Sequence, residues 1–505
     1  MAVLGLVGSF GCSVNDTPSA KKAIVVGGGI GGICTAARLA RSGFSVSVYE
    51  KNNALGGRMS ELKLETDAGE YRFDTGPSLL LLPEVYRQTF RDLGVDIDDV
   101  VELTRLDPNY KVFRGQDRLC IRSDVSKMRE DLEAVEKGSF EEWRKYSSSA
   151  LAFFRGGFHS FIEKDDMDIL TKSDYRQWIQ MVLKGGNPLE SHVAYLSRRF
   201  TSQTLIGAAS FQDLYVGLSP FKAPAVFSLL GALEAEQGVW YPKGGMRAIA
   251  RALVNVAKEN GVQFHTSTSV RRIGTESTTA KYVELEDGSR ETADVFVVNA
   301  DQTYAARELL GYTDRQDPAF SSGVVNVMLA VEDPCEGLEH HNIFLADDFR
   351  KSWDGIFEPG LHLPNDFNMY VHVPSKTDPA AAPQGCSSVM CLIPCGTLPG
   401  NREELLTKAK AGAIETLSKF FPQETIRAQA FYEPNHWKLT YNLDRGAAFG
   451  LAHNIQQLAI FRPSQRSSTF TNVYFVGAST RPGNGVPLVM ISSRLCTEKV
   501  LQDFA

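Results

Sequence analysis

The chain contains 505 residues, of which 43% are hydrophobic and 22% are charged, and this length exceeds what one hydrophobic core usually supports. Its 53 Lys and Arg residues against 60 Asp and Glu residues give a net charge of -7, so no overall basic field would attract nucleic acid. We therefore expect a folded protein of two or more domains that does not bind nucleic acid.

The chain opens on "MAVLGLVGSFGCSVNDTPSA", a mildly apolar stretch without Lys or Arg. It lacks both the basic start of a secretory signal and the Arg-rich character of a transit peptide, so we interpret it as an unstructured leader. No apolar run along the chain reaches the roughly 18 residues that a membrane-spanning helix requires. The 8 cysteines are scattered, which suits a reducing compartment. We expect an intracellular protein without a secretory signal or a transmembrane helix.

The first predicted folding unit covers residues 21–52, "KKAIVVGGGIGGICTAARLARSGFSVSVYEKN". A short apolar strand leads into a glycine-rich turn and a helix, and a second strand follows. Gly27, Gly29 and Gly32 have the G-x-G-x-x-G spacing. The first glycine permits a tight turn, the second lets backbone N–H groups approach a pyrophosphate, and the third lets helix and strand pack closely. This pattern is typical of dinucleotide binding.

An acidic residue completes the pattern. Glu50 ends the second predicted strand, where a carboxylate is placed to accept hydrogen bonds from ribose hydroxyls. Glycine-rich turns also serve plain strand-to-helix connections, but here strand, glycines, helix, strand and acid follow in the required order. The sequence therefore predicts a bound dinucleotide.

The next stretch, "NNALGGRMS", indicates which dinucleotide. Gly56, Gly57 and Arg58 follow shortly after the acidic residue, and the stretch resembles the second signature of the amine oxidase and phytoene desaturase group of flavoproteins. In that group the Gly-Gly-Arg loop continues the pyrophosphate site, and the Arg supplies positive charge. The alternative is a glycine-rich loop with a surface Arg. The resemblance implies FAD.

The remaining chain alternates in pattern. Residues 61–76 predict two strands joined by a turn that contains glycine, and residues 126–235 predict a helical lobe. Alternating segments within residues 320–395 predict a mixed sheet, and a helix is expected near 401–420. The predicted fold class is α/β, with a Rossmann-type FAD-binding domain, an inserted substrate domain built on a mixed sheet, and a helical lobe.

These patterns divide the chain into three predicted units. The FAD-binding domain is assembled from residues 22–125, 236–300 and 425–505. Residues 126–235 form the helical lobe, which faces membrane or substrate, and residues 301–424 form the substrate-binding domain.

The C-terminal stretch "NVYFVGASTRPGNGVPLVM", residues 472–490, predicts a strand, a glycine-rich loop and a final helix. The strand would join the sheet begun by "AIVVG". Gly477, Gly483 and Gly485 would leave room for backbone to approach a bound ring. Pro487 would lie near the first turn of the helix, whose N–H groups could stabilise negative charge on that ring.

Cysteines and histidines offer weaker signals. Cys386, Cys391 and Cys395 have spacings that match no structural zinc pattern, so we interpret them as buried strand thiols. His340 and His341 are adjacent and would point to opposite faces of a strand. We interpret them as surface residues, and no metal site is predicted.

Long stretches of the chain, in order, resemble the phytoene desaturases, particularly their fungal branch. They include "YRFDTGPSLLLLPEVYRQTFRDLG", "LYVGLSPFKAPAVFSLL", "GVWYPKGGM", "VVNADQTY", "NLDRGAAFGLAHNIQQLAIFRP" and "NVYFVGASTRPGNGVPLV". The resemblance implies a flavoprotein that binds FAD noncovalently and removes hydrogens from a long isoprenoid such as phytoene.

The same resemblance assigns residues to the two halves of FAD. Those that fall on the ADP half are Gly27, Gly29, Gly32, Glu50, Lys51, Gly57 and Arg58. Val270 occupies the strand position whose backbone meets the adenine. Gly477, Val486 and Pro487 approach the flavin end.

Two departures from that family leave questions open. Where the family commonly has His in a "T-H-P-G" element, this chain has Arg481, which either faces flavin or substrate as a catalytic residue or caps local carbonyls as a structural residue. Fungal relatives also tend to carry a longer hydrophobic C-terminal region than this chain, which ends at Ala505. Substrate identity and the mode of membrane attachment therefore stay open.

The resemblance also implies a mechanism. Hydride leaves an allylic carbon for flavin N5, and the cation that results then loses a neighbouring proton to a weak base or water. Oxygen or a quinone would reoxidise the flavin. A hydrophobic polyene would reach the site from a membrane surface, contacted by residues 149–163 or 174–186, although buried core helices look similar. Three alternatives stay open: a flavin oxidase of another lipid or secondary metabolite, a redox-neutral carotenoid isomerase, and a prenyl-lipid binding protein related to Rab GDP-dissociation inhibitors.

Overall fold

The computed structural model describes part of the chain, namely residues 20–157, 162–163, 176, 179–180, 182–184, 186–312 and 318–504. The predicted leader lies outside these residues, and so do parts of the two candidate membrane segments. Across the residues that are described, no helix is both long enough and apolar enough to cross a membrane.

Strands occur along nearly the whole described chain. In chain order, β1 to β19 are Lys22–Val26, Ser45–Tyr49, Glu61–Thr66, Gly69–Asp74, Leu103–Arg105, Tyr110–Arg114, Asp117–Ile121, Trp240–Pro242, Gln263–His265, Val270–Glu276, Thr279–Leu285, Arg290–Thr292, Val295–Val298, Gly323–Val331, His341–Phe344, Met369–His372, Ser387–Cys395, Ile426–Tyr432 and Val473–Phe475.

Helices follow several of these strands and also form a block of their own. In chain order, α1 to α12 are Ile30–Arg41, Pro83–Asp92, Val125–Val135, Ser139–Gly157, His192–Ser197, Gln203–Ser210, Ser228–Gln237, Met246–Glu259, Gln302–Tyr304, Arg402–Leu417, Pro434–Tyr441 and Val486–Phe504.

A five-stranded parallel sheet forms the nucleotide-binding half of the molecule. Its strand order is β19-β13-β1-β2-β9, and every pairing in it is parallel. Helix α1 packs against α8 and α12, so this helix is buried between its neighbours. The predicted Rossmann-type unit is confirmed, and the C-terminal strand joins the same sheet through β13. Because the carboxyl ends of parallel strands meet at one edge, ligands bind there in folds of this kind.

A seven-stranded mixed sheet forms the other half. Its order is β18-β14-β17-β16-β15-β6-β7, with β15 parallel to β6 and antiparallel to β16. Helix α10 packs against β14 on one face, and the aromatic and aliphatic core of the helical lobe covers the other face. The predicted mixed sheet is therefore confirmed.

Sheet membership does not follow the predicted boundaries at residues 125 and 425. Strands β6 and β7 lie within the first predicted FAD-binding segment and β18 within the last, yet all three pair in the seven-stranded sheet. The sheet that a strand joins is determined by pairing with strands distant in sequence. The alternation of its side chains does not indicate which strand it pairs with. The division into three domains stays a prediction.

The helical lobe buries a carboxyl group. Helix α4 packs against α7, and Glu234 of α7 is 1% exposed. Its Oε2 accepts hydrogen bonds from the Tyr110 hydroxyl and from Gln212 Nε2 at 2.9 Å. Burial raises the pKa of Glu234 from 4.5 to about 7, because the low-dielectric interior disfavours the carboxylate.

This raised pKa predicts a pH dependence of stability. The folded chain retains a proton that the unfolded chain releases, so the free energy of unfolding falls as pH rises from about 4.5 to about 7. The loss from Glu234 is roughly 3 kcal/mol, because one pKa unit corresponds to about 1.4 kcal/mol. Glu234→Gln removes this contribution, and denaturation midpoints measured across that pH range should decline less steeply than in the wild type. Glu236→Gln, on the exposed face of the same helix, is the matched control and keeps the wild-type slope. An unchanged slope in Glu234→Gln would contradict the assignment.

Candidate cofactor-binding and active site

The turn after β1 is built by glycine contacts that leave no room for side chains. Gly27 has a φ of 101°, in the region that favours glycine. A Cβ on Gly32 would lie 2.2 Å from the Gly27 carbonyl oxygen. The third glycine of the motif therefore lets α1 pack against the end of β1, as the sequence predicts.

A second loop lies directly on this turn. The Gly56 N–H donates to the Gly28 carbonyl at 2.7 Å, and a Cβ on Gly57 would lie 3.1 Å from Gly29 Cα. Helix α1 begins after Gly29, and its N-terminal N–H groups receive no side-chain cap from Gly29. Such N–H groups and the positive end of the helix dipole favour a bound anion. The two loops thus form a backbone cradle that suits a diphosphate.

The Glu50 carboxylate hydrogen-bonds to the backbone of the cradle and fixes its shape. The side chain is 6% exposed. One carboxylate oxygen accepts the Gly28 N–H at 2.8 Å, and the other accepts the Asn52 N–H at 2.8 Å. The carboxylate therefore holds the glycine-rich turn in place. Its predicted contact with a ribose stays a prediction.

Two predicted cations and one predicted backbone position surround the cradle. Lys51 Nζ donates to the Leu439 carbonyl at 2.7 Å, and Arg58 Nη1 donates to the Ala448 carbonyl at 2.8 Å. Val270 begins β10 and is buried. The Thr268 N–H, two residues before Val270, donates to the Glu50 carbonyl at 2.8 Å. All three predicted positions therefore lie close to the cradle in the chain or in space.

The C-terminal loop lies at the same edge of the sheet. Gly477 follows β19 with a φ of 121°, and its N–H donates to Ser492 Oγ of α12 at 3.3 Å. Helix α12 begins at Val486, with Pro487 in its first turn, so this second helix N-terminus also lies at the cofactor edge. The predicted strand, loop and helix are confirmed.

The glycines of this loop serve different purposes. A Cβ on Gly485 would meet no atom within 4 Å, whereas a Cβ on Gly483 would lie 2.2 Å from His453 Nε2. The absence of a side chain at Gly483 therefore accommodates a histidine of this chain, a neighbour that the sequence analysis missed. His453 is buried, and burial lowers the pKa of its imidazole well below the usual value, so the ring is neutral at pH 7.

Arg481 lies in the same loop and is half-buried. Its Nε donates to the Arg462 carbonyl at 3.0 Å, and its own carbonyl accepts from Gln465 Nε2 at 2.7 Å. The first contact is of the kind expected for a structural Arg that caps carbonyls. A flavin-facing or substrate-facing role for Arg481 stays a prediction.

Sequence analysis also missed two residues that follow β13. Asn299 Nδ2 donates to the Gly27 carbonyl at 3.3 Å, and Asn299 Oδ1 would lie 3.1 Å from a Cβ on Gly477. Asp301 Oδ2 accepts from Ser479 Oγ at 2.9 Å. These side chains connect the N-terminal cradle with the C-terminal loop. A polar pair directly after a fully apolar strand, "VFVVNAD", is the signal that could have identified them.

The prediction that His340 and His341 are surface residues is wrong. They are 4% and 0% exposed, and β15 begins at His341. His340 therefore precedes the strand, so the alternation of strand side chains does not separate the two rings. Burial lowers the pKa of His340 to about 3, and the ring is neutral. Together with His372, they form a group whose ring nitrogens lie within 4.8 Å of one another. Of the three predicted strand thiols, Cys391 and Cys395 are buried in β17, whereas the prediction is wrong for Cys386, which precedes the strand and is partly exposed.

Residues 30–501 match the family described as flavin-containing amine oxidoreductase. The phytoene desaturase of Neurospora crassa is 35% identical over 520 residues, which cover 97% of this chain and 86% of that protein. The zeta-carotene-forming phytoene desaturase of Myxococcus xanthus is also 35% identical, over 95% of this chain and 94% of that protein. The crystal structure of an oxidoreductase from Methanosarcina mazei has a TM-score of 0.63 at 18% identity and covers 94% of this chain and 100% of its own. That last likeness concerns the fold.

The close contact at Gly32 predicts how the addition of one methyl group at this position affects flavin binding. In Gly32→Ala the new Cβ forces α1 away from β1, because a backbone carbonyl 2.2 Å away cannot coexist with it, and we expect most of the bound flavin to be lost. The ratio of flavin to protein absorbance in the purified chain measures this loss. Gly43→Ala, just after the same helix, meets no atom within 4 Å although its φ is 91°. This control should lose some stability but retain flavin. Full flavin content in Gly32→Ala would refute the cradle.

Proposed function

Because this chain belongs to the flavin-containing amine oxidoreductase family, we propose that it is an FAD-dependent desaturase that introduces double bonds into phytoene or a related carotenoid. The proposal is supported chiefly by one observation, a backbone cradle at the carboxyl edge of the parallel sheet in a chain similar over nearly its full length to phytoene desaturases. The enzyme is an oxidoreductase that acts on CH–CH groups.

FAD supplies the hydride acceptor that abstraction of hydrogen from an allylic carbon requires. The N-terminus of α1, after Gly29, and the loop at Gly57 would hold the diphosphate through backbone N–H groups. Arg58 supplies positive charge beside them. The N-terminus of α12, at Val486 and Pro487, would hold the flavin end of the cofactor, where the positive end of the helix dipole favours negative charge.

The protein orients the polyene and excludes water. A cation left by hydride loss is delocalised along a polyene, so a weak base or water takes the neighbouring proton. The helical lobe contributes an apolar core rich in aromatic side chains on the side of the mixed sheet away from α10. Such a lobe suits a hydrocarbon substrate, and we propose that it orients the polyene.

Contact with a membrane surface is supported by exposed apolar side chains in the helical lobe. Ile179, Val182 and Leu183 are 60%, 45% and 79% exposed, and their spacing places them on one face of a helix. Exposed apolar side chains on a common face are typical of helices that lie in a membrane interface. A long isoprenoid would enter the enzyme from such a surface, and oxygen or a quinone would accept the electrons.

The second candidate function, a flavin oxidase acting on another lipid or secondary metabolite, is supported by Arg481. This residue places a cation in the loop where related enzymes commonly have His, and a cation there suits a polar or anionic substrate. A redox-neutral isomerase is a variant of the first proposal that product mass distinguishes.

Co-expression with a phytoene source tests the substrate. Bacteria that accumulate phytoene and express this chain should lose phytoene and gain carotenoids with longer conjugation, each desaturation lowering the product mass by two hydrogens. Gly32→Ala, which is expected to lack flavin, serves as the inactive control. A product of unchanged mass would favour the isomerase, and phytoene left intact by flavin-loaded protein would eliminate this substrate.

Vesicle binding tests the membrane proposal. Leu183→Asp should lower the partition onto phosphatidylcholine and phosphatidylglycerol vesicles by about tenfold or more, since burial of a leucine side chain is worth about 1.5–3 kcal/mol. Co-sedimentation measures the bound fraction. Leu439→Asp, on α11 and 65% exposed, is the matched control and should bind as the wild type does. Equal loss in both variants would argue against a specific membrane face.

A further inference from the structure

Three buried histidines meet where β15 begins and β16 ends, on two interior strands of the seven-stranded sheet. His341 of β15 and His372 of β16 lie directly opposite each other in the antiparallel pair. His340 immediately precedes β15, and its ring centroid lies 4.5 Å from that of His341 and 4.9 Å from that of His372. Their side chains are 4%, 0% and 0% exposed, in chain order.

Two of the ring nitrogens have nearly the separation that two ligands of one metal ion require. His340 Nε2 and His372 Nε2 are 3.1 Å apart. Two imidazole nitrogens bound tetrahedrally to zinc, each at roughly 2.0–2.1 Å, would lie about 3.3 Å apart. One nitrogen of His341 completes the group, and all three ligand atoms lie within 4.8 Å of one another.

The opposite nitrogens of two of the rings are already held. His340 Nδ1 bonds to Thr377 Oγ1 at 2.8 Å, and His341 Nδ1 bonds to the Tyr370 hydroxyl at 2.7 Å. The Tyr370 hydroxyl in turn bonds to Ser78 Oγ at 2.8 Å. Metal-ligating histidines are oriented in this way, because a partner at one nitrogen directs the other nitrogen toward the metal.

Two nitrogens of the group lack hydrogen-bond partners. His341 Nε2 and His372 Nδ1 are buried and have no partner within the part of the chain that the structure describes. A buried polar atom without a partner is costly. A metal ion bound between the three Nε2 atoms would satisfy His341 Nε2 and would also replace the single hydrogen bond between His340 and His372.

Negative charge lies beside the rings. Asp378 accepts hydrogen bonds from Arg72 Nη2 at 2.5 Å and from the Gly244 N–H at 2.8 Å. The Tyr241 ring lies 4.4 Å from the His340 ring, and its hydroxyl donates to Asp74 at 2.7 Å. Asp378 would offset part of the charge of a divalent cation beside His340, and the Arg72 guanidinium beside His372 opposes it.

We propose that His340, His341 and His372 bind one divalent metal ion of the zinc class through their Nε2 atoms. Neutral imidazole suits zinc, copper, iron and nickel more than calcium or magnesium. With the metal bound, each ring carries its proton on Nδ1. Thr377 and Tyr370 accept that proton from His340 and His341, whereas His372 Nδ1 has no acceptor among the described residues. The site is structural: it joins β15 to β16 and, through the Tyr370 hydroxyl, fixes the loop at Ser78.

Metal analysis of the full-length, FAD-loaded chain tests this site. The chain is purified without a metal-affinity step from cells grown with zinc, and elemental analysis should find about one zinc per chain, as expected for a structural site. His341→Gln and His372→Gln should each lose the metal. His192→Gln is the matched control, because His192 is equally buried but both its nitrogens bond within the chain, to Asp213 and Ser228.

A second measurement keeps the test decisive when a variant fails to fold. Chelator-treated wild-type protein, still loaded with flavin, should show a higher thermal midpoint after zinc is added. Cobalt(II) in place of zinc should give visible bands at wavelengths beyond the flavin absorption, and these bands should be absent in His341→Gln. Wild-type protein that contains no metal and whose thermal midpoint does not respond to zinc would overturn the proposal. Equal metal content in the wild type and in folded His341→Gln would overturn it as well.

Discussion

The cofactor site depends on one constraint, the absence of side chains where the backbone segments at the end of β1 approach one another. The contact of Gly32 with the Gly27 carbonyl sets α1 against the strand. The approach of Gly57 to Gly29 then places a second loop over the same helix N-terminus. Glu50 completes the arrangement from below, since its carboxylate accepts the Gly28 N–H. Helix dipole, free N–H groups and glycine backbone together create a site for a diphosphate.

Parallel strand order extends this local constraint to the whole cofactor. Because β19 lies beyond β13 in the same sheet, the loop after β19 opens on the same edge as the cradle. Asn299 contacts both regions. Its Nδ2 donates to the Gly27 carbonyl, and its Oδ1 lies where a side chain at Gly477 would otherwise begin. The N-terminal and C-terminal segments, which are far apart in sequence, thus form one site.

Local sequence patterns predicted many elements of the fold and of the cofactor site correctly. The features that they did not predict depend on contacts between residues far apart in the sequence. The turn at Gly27, the hairpin of β3 and β4 and the helical character of residues 126–235 follow from spacing and periodicity, which depend on neighbouring residues. The membership of β6, β7 and β18 in the seven-stranded sheet depends on distant partners, and so do the burial of His340 and the contact of His453 with Gly483. No spacing rule contains that information. For Arg481 the sequence left two hypotheses open, a structural role and a catalytic role. The hydrogen bond from its Nε to the Arg462 carbonyl is the contact expected for the structural role.

Anaerobic reduction of the bound flavin by phytoene tests the central claim most directly. Flavin-loaded protein is mixed without oxygen with vesicles that contain phytoene, and the flavin absorbance and the carotenoid spectrum are followed together. The account predicts that the flavin band bleaches while conjugated product appears in equal amount, one new double bond for each flavin reduced. A flavin that stays oxidised with phytoene and bleaches with a different lipid would contradict it.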